Sequence, residues 1–353
     1  MLKSSMPNTV SPGLLAQKLE SVFRSGNLSN NGPVVQRLEN EVLPEVLELK
    51  DDQAIALVSN GTVALELCAP FVGPYIIVPA YTFCATVLPF AQENRKVYFA
   101  DVDDNGLICT DSIDSIYQTY GINPVMSTII GVDLFGQSCG PRLERFVKQG
   151  ARVLIDAAQS FGVYHRTNYN HLRTYSFHAT KTIHCCEGGA IVGPKVQVDR
   201  IKKARAFGGV DDPFPSGTNA KLDEIRATIL EHNLSNAWDV LHHNGHLIDY
   251  VYRAILPYKH FKAYANRYAL LEIKEYQLRQ NILEALEAEN IHLRNYFEAL
   301  NGQPRFRNVG NGHSCLGANK LDFAFISLPL GWDVKPEQAE KVAWICAEQI
   351  NKY

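Results

Sequence analysis

The feature that most constrains this chain is the alternation of short β-rich runs with helical stretches across its N-terminal half. Two of the intervening segments, 63–68 and 142–148, have the apolar spacing of helices. Strands that alternate with helices form βαβ units, so the pattern predicts an α/β fold with a mostly parallel sheet. The predicted strands are 54–58, 75–78, 96–99, 126–132, 153–155, 174–177 and 189–192.

The flanking regions have a more helical character. Helices are predicted at 14–24 and from 34 to about 47, and long helices at 221–256 with an interruption around Asn244-Gly245. Beyond residue 277 the pattern is helix, loop, strand (323–328) and a final amphipathic helix (336–350). We therefore predict two domains: a large α/β domain with an N-terminal helical segment at 1–230, and a smaller α+β domain at 231–353.

Composition excludes several classes of protein. With 46% hydrophobic and 20% charged residues, the 353-residue chain is not of the disordered type. A net charge of −3 gives no general attraction for nucleic acid or for anionic membranes. No run of 18 apolar residues exists, and the polar N-terminus lacks the core of a secretory signal. The eight cysteines are expected to be reduced thiols in a cytoplasmic protein, and no metal site is predicted.

Two segments carry polar groups at places where α/β sheets bind ligands. Ser59-Asn60-Gly61-Thr62 follows a predicted strand and opens a helix, so its amides and the Thr62 hydroxyl can bind a phosphate. A simple N-cap is the alternative. Asp156 ends an apolar strand, at the sheet edge where open α/β sheets place ligands. It could equally cap the next helix.

Two further segments provide a lysine and aromatic rings that could take part in binding a ligand. Lys181 lies between a predicted strand and Gly188-Gly189. The alternative is a solvated lysine on the surface, where most lysines lie. Tyr81-Thr82-Phe83 follows another strand, and its rings could simply belong to the core. A phosphate cradle, an aromatic platform, an acid and a lysine are what pyridoxal phosphate needs. The lysine bonds to the cofactor and the acid keeps the ring nitrogen protonated.

Six segments occur in a fixed order along the chain: VSNGTVALEL, VPAYTFCAT, VDLFGQ, LIDAAQSFG, SFHATK and EGGAIV. In these segments the chain resembles the DegT–StrS group of nucleotide-sugar aminotransferases, over roughly residues 24–235 and more faintly to its C-terminus. The resemblance implies a type I pyridoxal-phosphate fold, as in aspartate aminotransferase, a homodimer with shared active sites, and L-glutamate as amino donor.

The resemblance also implies roles for individual residues. Lys181 would bind the cofactor covalently, Asp156 would pair with its ring nitrogen, and Gln159 would lie on the side of its 3-hydroxyl group. Phe83 would stack on the ring. Asn219, in GTNAKLDE, would reach the cofactor phosphate of the neighbouring subunit. The residues that would hold the phosphate within the chain are Gly61, Thr62 and Ser176.

The acceptor sugar is less constrained. NNGPVVQ, SFHATK and HLRNYFEAL look most like the branch that aminates C4 of dTDP-4-keto-6-deoxy-D-glucose, although that branch has a second arginine where Asn295 stands. Amination of a 3-keto sugar, a different nucleotide, or a non-catalytic regulator of the same fold are the alternatives. The related dehydratases carry histidine at the lysine position, so Lys181 argues against them.

Overall fold

The computed structural model describes residues 2–4, 10–91, 95–163, 170–208, 217–307 and 314–353. The strands in these ranges are β1 (Leu2–Lys3), β2 (Gln53–Val58), β3 (Tyr75–Pro79), β4 (Lys96–Ala100), β5 (Ser127–Val132), β6 (Arg152–Asp156), β7 (Leu172–Ser176), β8 (Gly189–Pro194), β9 (Phe261–Tyr264), β10 (Tyr268–Glu272), β11 (Ile291–His292), β12 (Arg294–Tyr296) and β13 (Phe325–Ser327).

Helices of ordinary length separate most of these strands. The N-terminal pair is confirmed, and the second helix contains a π turn (Leu38–Val42) between α2 and α3. The helices are α1 (Pro12–Ser25), α2 (Pro33–Arg37), α3 (Leu43–Val46), α4 (Gly61–Cys68), α5 (Thr110–Tyr120), α6 (Gly140–Lys148), α7 (Lys195–Ala204), α8 (Glu224–Ser235), α9 (Ala237–His246), α10 (Arg253–Ile255), α11 (Tyr276–Ala288), α12 (Leu316–Lys320) and α13 (Pro336–Lys352). No helix of the described ranges is long and apolar enough to cross a bilayer.

Within the described residues, seven strands form the central sheet in the order β2-β8-β7-β6-β5-β3-β4. Only β8 runs against its neighbours, and the contacts from β7 through β4 are parallel. The predicted mostly parallel sheet is therefore confirmed. Because β2, β7, β6 and β3 point the same way, their carboxyl ends meet at one edge of the sheet, where ligands of open α/β sheets bind.

A smaller antiparallel sheet, β12-β13-β10-β9, lies between two hydrophobic clusters of the described chain. Leu270 and Phe325 pack into the cluster around the central sheet. Leu271 and Ile326, one residue further along, pack into a second cluster with α11 and α13. Successive side chains of a strand point to opposite faces, so one face of this sheet is directed toward the large sheet.

Two details of the C-terminal half were wrong in the sequence-based prediction. The helical region breaks at Asn236, whereas Asn244 and Gly245 lie inside α9. A Cβ at Gly245 would stand 2.7 Å from the amide nitrogen of Asn266, so this glycine serves a close contact rather than a turn. Strands β9 and β10 were also missed. The domain boundary near residue 230 stays a prediction.

Candidate active site

The carboxyl edge of the central sheet opens into a cavity of about 600 Å³. Asp156 is the last residue of β6 and Ser176 the last of β7, and these strands are paired in parallel. Lys181 follows β7 in the turn that leads to β8. Every predicted cofactor residue except Asn219 lines this cavity: Gly61, Thr62, Phe83, Asp156, Gln159, Ser176 and Lys181.

One end of the cavity is a cradle formed by the start of α4. Asn60 caps this helix, because its side-chain oxygen accepts the Val63 amide at 2.9 Å. The amides of Gly61 and Thr62 therefore remain for a ligand, since the first amides of a helix have no intrahelical acceptor. A Cβ at Gly61 would stand 2.9 Å from the Ser176 Cβ and would fill the cradle. The capping and the phosphate-binding interpretations are thus compatible.

Asp156 is buried beside the floor of the cavity, with 6% of its surface exposed. The Thr86 hydroxyl donates to its Oδ2 at 2.7 Å and the Ala158 amide donates to its Oδ1 at 3.1 Å. Burial raises the pKa of the Asp156 carboxyl, and these two hydrogen bonds oppose that rise. Residues 157–163 contain turns and no helix, so Asp156 does not cap one.

Lys181 is half-buried, and its amine has no hydrogen-bond acceptor or ion-pair partner among the described residues. Burial lowers the pKa of Lys181 to about 8, with a further lowering by the Arg294 charge; the Asp156 carboxylate acts in the opposite direction. Near neutral pH, a larger fraction of this amine than of an ordinary lysine is therefore unprotonated, which is the form that reacts with carbonyl groups. A solvated surface lysine would not have this property.

Two other side chains present groups to the cavity. The Phe83 ring is 52% exposed, although it contacts the Phe297 ring at a centroid distance of 6.2 Å. Gln159 accepts the Phe135 amide through Oε1 at 2.8 Å, and no described residue accepts from its Nε2. An aromatic face and an amide donor are thereby available to a ligand.

Asn219 is not among the residues that line this cavity, although the carbonyl of the next residue, Ala220, accepts the Ser59 amide at 2.8 Å. The Asn219 Oδ1 accepts from Lys221 Nζ at 2.5 Å, and Lys221 also lies 4.6 Å from the Phe207 ring centroid. Lys221, Lys202 and Lys203 line a separate cavity of about 690 Å³. The structure thus does not bring Asn219 together with the other predicted residues of its own chain.

Sequence reasoning gave no role to Thr86, Arg294 or the pair His178 and Glu187, all of which line the main cavity. His178 Nε2 lies 3.5 Å from Glu187 Oε1, while its Nδ1 accepts the Thr180 amide at 3.1 Å. Thr86 belongs to the VPAYTFCAT segment and His178 to SFHATK, so both were inside motifs already noticed. The bond from Thr86 to Asp156 joins segments 70 residues apart, which a motif does not encode, whereas the partners of His178 are near it in the sequence.

These residues fit pyridoxal phosphate. The cradle at Gly61 suits a phosphate, and the buried Asp156 carboxylate suits a protonated ring nitrogen, which would stabilise its charge. The exposed Phe83 ring suits an aromatic face, and the unpaired Lys181 amine suits an aldehyde. The arrangement can hold a phosphorylated, positively charged ring against a reactive amine.

Comparison with known proteins gives the same result for the whole chain. The sequence profile of the DegT/DnrJ/EryC1/StrS aminotransferase family matches residues 14–346. A dTDP-4-amino-4,6-dideoxy-D-glucose transaminase of Escherichia coli is 28% identical over 361 residues, which cover 92% of each chain. One of Shigella dysenteriae is 30% identical over 230 residues, and this match spans 61% of the chain and only 60% of that protein.

Other similar proteins extend the comparison. A UDP-2-acetamido-2-deoxy-3-oxo-D-glucuronate aminotransferase of Pseudomonas aeruginosa is 31% identical over 208 residues, covering 53% of this chain and 57% of that protein. The crystal structure of DesI in the presence of its TDP-sugar product superposes with a TM-score of 0.84 at 26% identity. That superposition covers 97% of this chain and 91% of DesI.

Proposed function

The chain belongs to the DegT/DnrJ/EryC1/StrS aminotransferase family, whose cofactor is pyridoxal phosphate, and from this premise we propose the reaction that it catalyses. It transfers the amino group of L-glutamate to the keto group of a nucleotide-linked sugar. The acceptor we favour is C4 of dTDP-4-keto-6-deoxy-D-glucose, because similar proteins of nearly full coverage include a transaminase named for the corresponding 4-amino sugar.

One observation carries this proposal. Residues from four separate segments of the sequence line one cavity, with an amine of lowered pKa and a buried carboxylate on its walls. A protein that had kept only the fold would have no need to hold Lys181 without an ion-pair partner, or to bury Asp156. A charged group that is buried without a partner lowers the stability of the fold unless a ligand provides the missing interaction.

The bound cofactor supplies an aldehyde that joins amines and a ring that withdraws electrons from the adjacent carbon. Lys181 would hold the cofactor through its side-chain nitrogen until the amino group of the donor takes its place. The Lys181 amine would then be free to act as the base that moves a proton from the donor α-carbon. Proton transfer by a positioned base contributes about 10² to 10⁴-fold to such rates.

Asp156 keeps the ring nitrogen protonated, which maintains the electron-withdrawing character of the ring. Thr86 orients this carboxylate by donating to Oδ2, and Thr82 lies behind it with its hydroxyl 2.9 Å from that of Thr86. The two threonines are buried, so water cannot compete for the Asp156 oxygen.

The remaining residues position the cofactor. Amides at Gly61 and Thr62, with the Thr62 and Ser176 hydroxyls, would bind its phosphate, and Phe83 would cover one face of its ring. Gln159 would donate through Nε2 toward the 3-hydroxyl side. All of these residues line the same cavity, and the bonds that Ser176 and Gln159 already make use only their oxygens as acceptors, so their donor groups remain available.

We further propose that two chains share each active site. Asn219 is not among the residues that line the cavity of its own chain, and the cationic Lys221 donates to it. In a homodimer, this pair would face the phosphate of the cofactor in the partner subunit.

Turnover tests the proposed function. The purified protein with pyridoxal phosphate should show a near-visible absorbance band, and L-glutamate should bleach it. A panel of 3-keto and 4-keto nucleotide sugars should then restore the band, and NMR of the product identifies the aminated carbon. Restoration by 3-keto sugars alone would move the proposal to C3. A protein without a cofactor band would instead be a non-catalytic member of the fold.

A further inference from the structure

Lys181 lies in the loop 177–188, which joins β7 to β8 and contains no helix. Near the strands, the two arms of this loop continue the pairing of β7 with β8, since the Ala179 amide donates to the Cys186 carbonyl at 2.7 Å. The reactive amine follows two residues later, in a bend. The contacts that hold this bend therefore decide where the amine stands in the cavity.

His178 accepts the amides of two residues in this bend. Its carbonyl accepts the Lys181 amide at 2.8 Å, and its ring Nδ1 accepts the Thr180 amide at 3.1 Å. The Thr180 hydroxyl lies 2.8 Å from the same nitrogen. Asn and Asp side chains fix turns in the same way, by accepting the amide two residues further on. The imidazole of His178 thus takes the part of an Asx side chain.

Glu187 fixes which nitrogen of the His178 ring carries the proton. An amide only donates, so Nδ1 is the unprotonated nitrogen and the proton of the neutral ring is on Nε2. Nε2 lies 3.5 Å from Glu187 Oε1, and a carboxylate oxygen attracts this proton. Glu187 thereby keeps Nδ1 available as an acceptor for the Thr180 amide.

His178 is also tied to the phosphate cradle. The Ser176 hydroxyl oxygen accepts the His178 amide at 3.3 Å, and the Ser176 Cβ faces Gly61 at the start of α4. His178 therefore joins the hydroxyl of the cradle to the bend that carries Lys181. The phosphate and the aldehyde of the cofactor are attached to one aromatic ring. Ser176 and Lys181 must consequently stand at a matching separation to engage both groups at once.

We propose that His178 is a positioning residue, which holds the bend of Lys181 so that the amine and the phosphate cradle engage the cofactor together. The inference rests on the proposed function, in which Lys181 binds the cofactor. His178 and Glu187 also line the main cavity, so contact with the acceptor sugar is the alternative. The two roles use different nitrogens. Positioning needs Nδ1, whereas contact with a sugar would use Nε2, because Nδ1 already has its donors.

Two substitutions separate these nitrogens. The oxygen of an asparagine can accept the amide two residues further on, as Nδ1 does, whereas glutamine is one carbon longer and instead reaches the place of Nε2. His178→Gln should slow the capture of pyridoxal phosphate by the cofactor-free protein about 3- to 10-fold, the effect of one net hydrogen bond. His178→Asn should stay within about twofold of the unsubstituted protein.

Stopped-flow absorbance at the near-visible band measures capture. At a pH of about 9 the rate reports the position of the amine, because this pH is above the Lys181 pKa of about 8 and most of the amine is unprotonated. His260→Gln is the matched control. The His260 Nδ1 is also bonded to the main chain, 3.0 Å from the Glu272 carbonyl oxygen, but His260 does not line the main cavity. Capture in this control should be unchanged.

Equal capture rates in His178→Gln and the unsubstituted protein would overturn the proposal. Equal slowing in His178→Asn and His178→Gln would overturn it as well, because the loss would then follow Nε2. Glu187→Ala should slow capture less than His178→Gln, since the ring still presents an unprotonated Nδ1 part of the time. Added to His178→Gln, it should have no further effect, because Glu187 acts through the imidazole. Additive losses would contradict that role of Glu187.

Capture requires neither an amino donor nor a sugar, so its outcome is separate from that of the proposed function. Turnover of a keto sugar, together with normal capture in His178→Gln, would reject the positioning role and keep the transaminase. Slow capture in His178→Gln, without turnover of any keto sugar by the unsubstituted protein, would reject the proposed acceptor and keep the positioning role.

Discussion

Two pairs of oppositely charged residues in the described structure differ in how their charges are compensated. Glu39 and Arg205, each 5% exposed, form an ion pair beneath the N-terminal helices. Glu39 also accepts the Leu57 amide at 2.6 Å, and Arg205 donates to the Leu57 carbonyl at 2.5 Å. Asp156 and Lys181 line one cavity without forming an ion pair, and burial shifts the pKa of each toward its neutral form.

This difference indicates that the first pair stabilises the fold and that the second pair is available to a ligand. In the first pair every charge has a partner within the chain, and the pair joins a helix to the edge strand β2. In the second pair the chain leaves each charge incompletely compensated, which costs stability unless a ligand provides the missing interactions. The comparison predicts that substitutions in the first pair lower the free energy of unfolding, and that substitutions in the second pair lower the rate of transamination.

The largest effect is expected for Lys181→Ala. Loss of the proton-transferring amine alone removes about 10² to 10⁴-fold of the rate, and the route that displaces the cofactor is lost as well. The near-visible band should disappear while thermal stability is kept, because the amine has no described partner to lose. Transamination near the normal rate in this variant would contradict the assignment.

Glu39→Gln should affect stability rather than chemistry. It leaves the Arg205 guanidinium buried without its carboxylate, which costs about 3–5 kcal/mol of unfolding free energy. Urea unfolding measures the loss. Glu20→Gln is the matched control, because it breaks the exposed Glu20–Arg24 pair, which is worth no more than about 1 kcal/mol. Equal losses of unfolding free energy in the two variants would contradict a special role of the buried pair in stability.

Asp156→Asn should reduce the rate of transamination at least about a hundredfold, since an amide no longer keeps the ring nitrogen protonated. Stability of the cofactor-free protein at neutral pH should not fall. A raised pKa means that the buried carboxylate destabilises the fold once it ionises, and asparagine avoids that cost. Single-turnover kinetics and thermal unfolding give the two readouts. A rate loss below about threefold would leave Asp156 a structural residue.

Mixing two inactive variants tests whether the second pair is completed by another subunit. Lys181→Ala and Asn219→Asp, exchanged as subunits, should regain up to about a quarter of normal activity, because half of the dimers are mixed and each has one intact site. The aspartate would repel the cofactor phosphate in its own parent dimer. A mixture that stays inactive despite proven exchange would place the action of Asn219 within its own chain.

The smallest effect concerns pH. The rate at which the cofactor-free protein captures pyridoxal phosphate should rise with pH and level off above about 8, as the Lys181 amine loses its proton. Two charged groups affect that amine, and the Arg294 cation lowers its pKa while the Asp156 carboxylate raises it. Arg294→Gln should therefore move the midpoint to higher pH and Asp156→Asn to lower pH.

Stopped-flow absorbance measures these midpoints. Arg305→Gln is the control, because Arg305 is an exposed arginine that does not line the main cavity. The same lowered pKa predicts that stability of the cofactor-free protein increases between about pH 8 and 10.5, because only the unfolded chain keeps that proton there. A capture rate that is independent of pH across this range would contradict the lowered pKa.

Much of the fold and of the main cavity could be predicted from the sequence because both depend on local patterns. Strand β6 is an apolar run that ends in Asp156, and α4 begins directly after β2 with Asn60 as its cap. Parallel strands bring their carboxyl ends to one edge, so residues that follow such strands meet without any further information. This rule accounts for the places of Asp156 and of the start of α4, whereas the roles of Gln159 and Ser176 came from the resemblance to a known family.

Tertiary structure decided the rest. The bond from Thr86 to Asp156 joins segments 70 residues apart, and Arg294, which lines the same cavity as Lys181, belongs to β12, a strand that pairs with β13. The prediction of an interruption at Asn244-Gly245 was wrong, because Gly245 allows a close contact with Asn266 inside α9 and does not form a turn. Sequence by itself indicated the candidate residues, through the order of local strand and helix-start patterns and through motifs that resemble a known family. Which charges remain without partners depended on strand register and burial, and these exist only once distant segments pack.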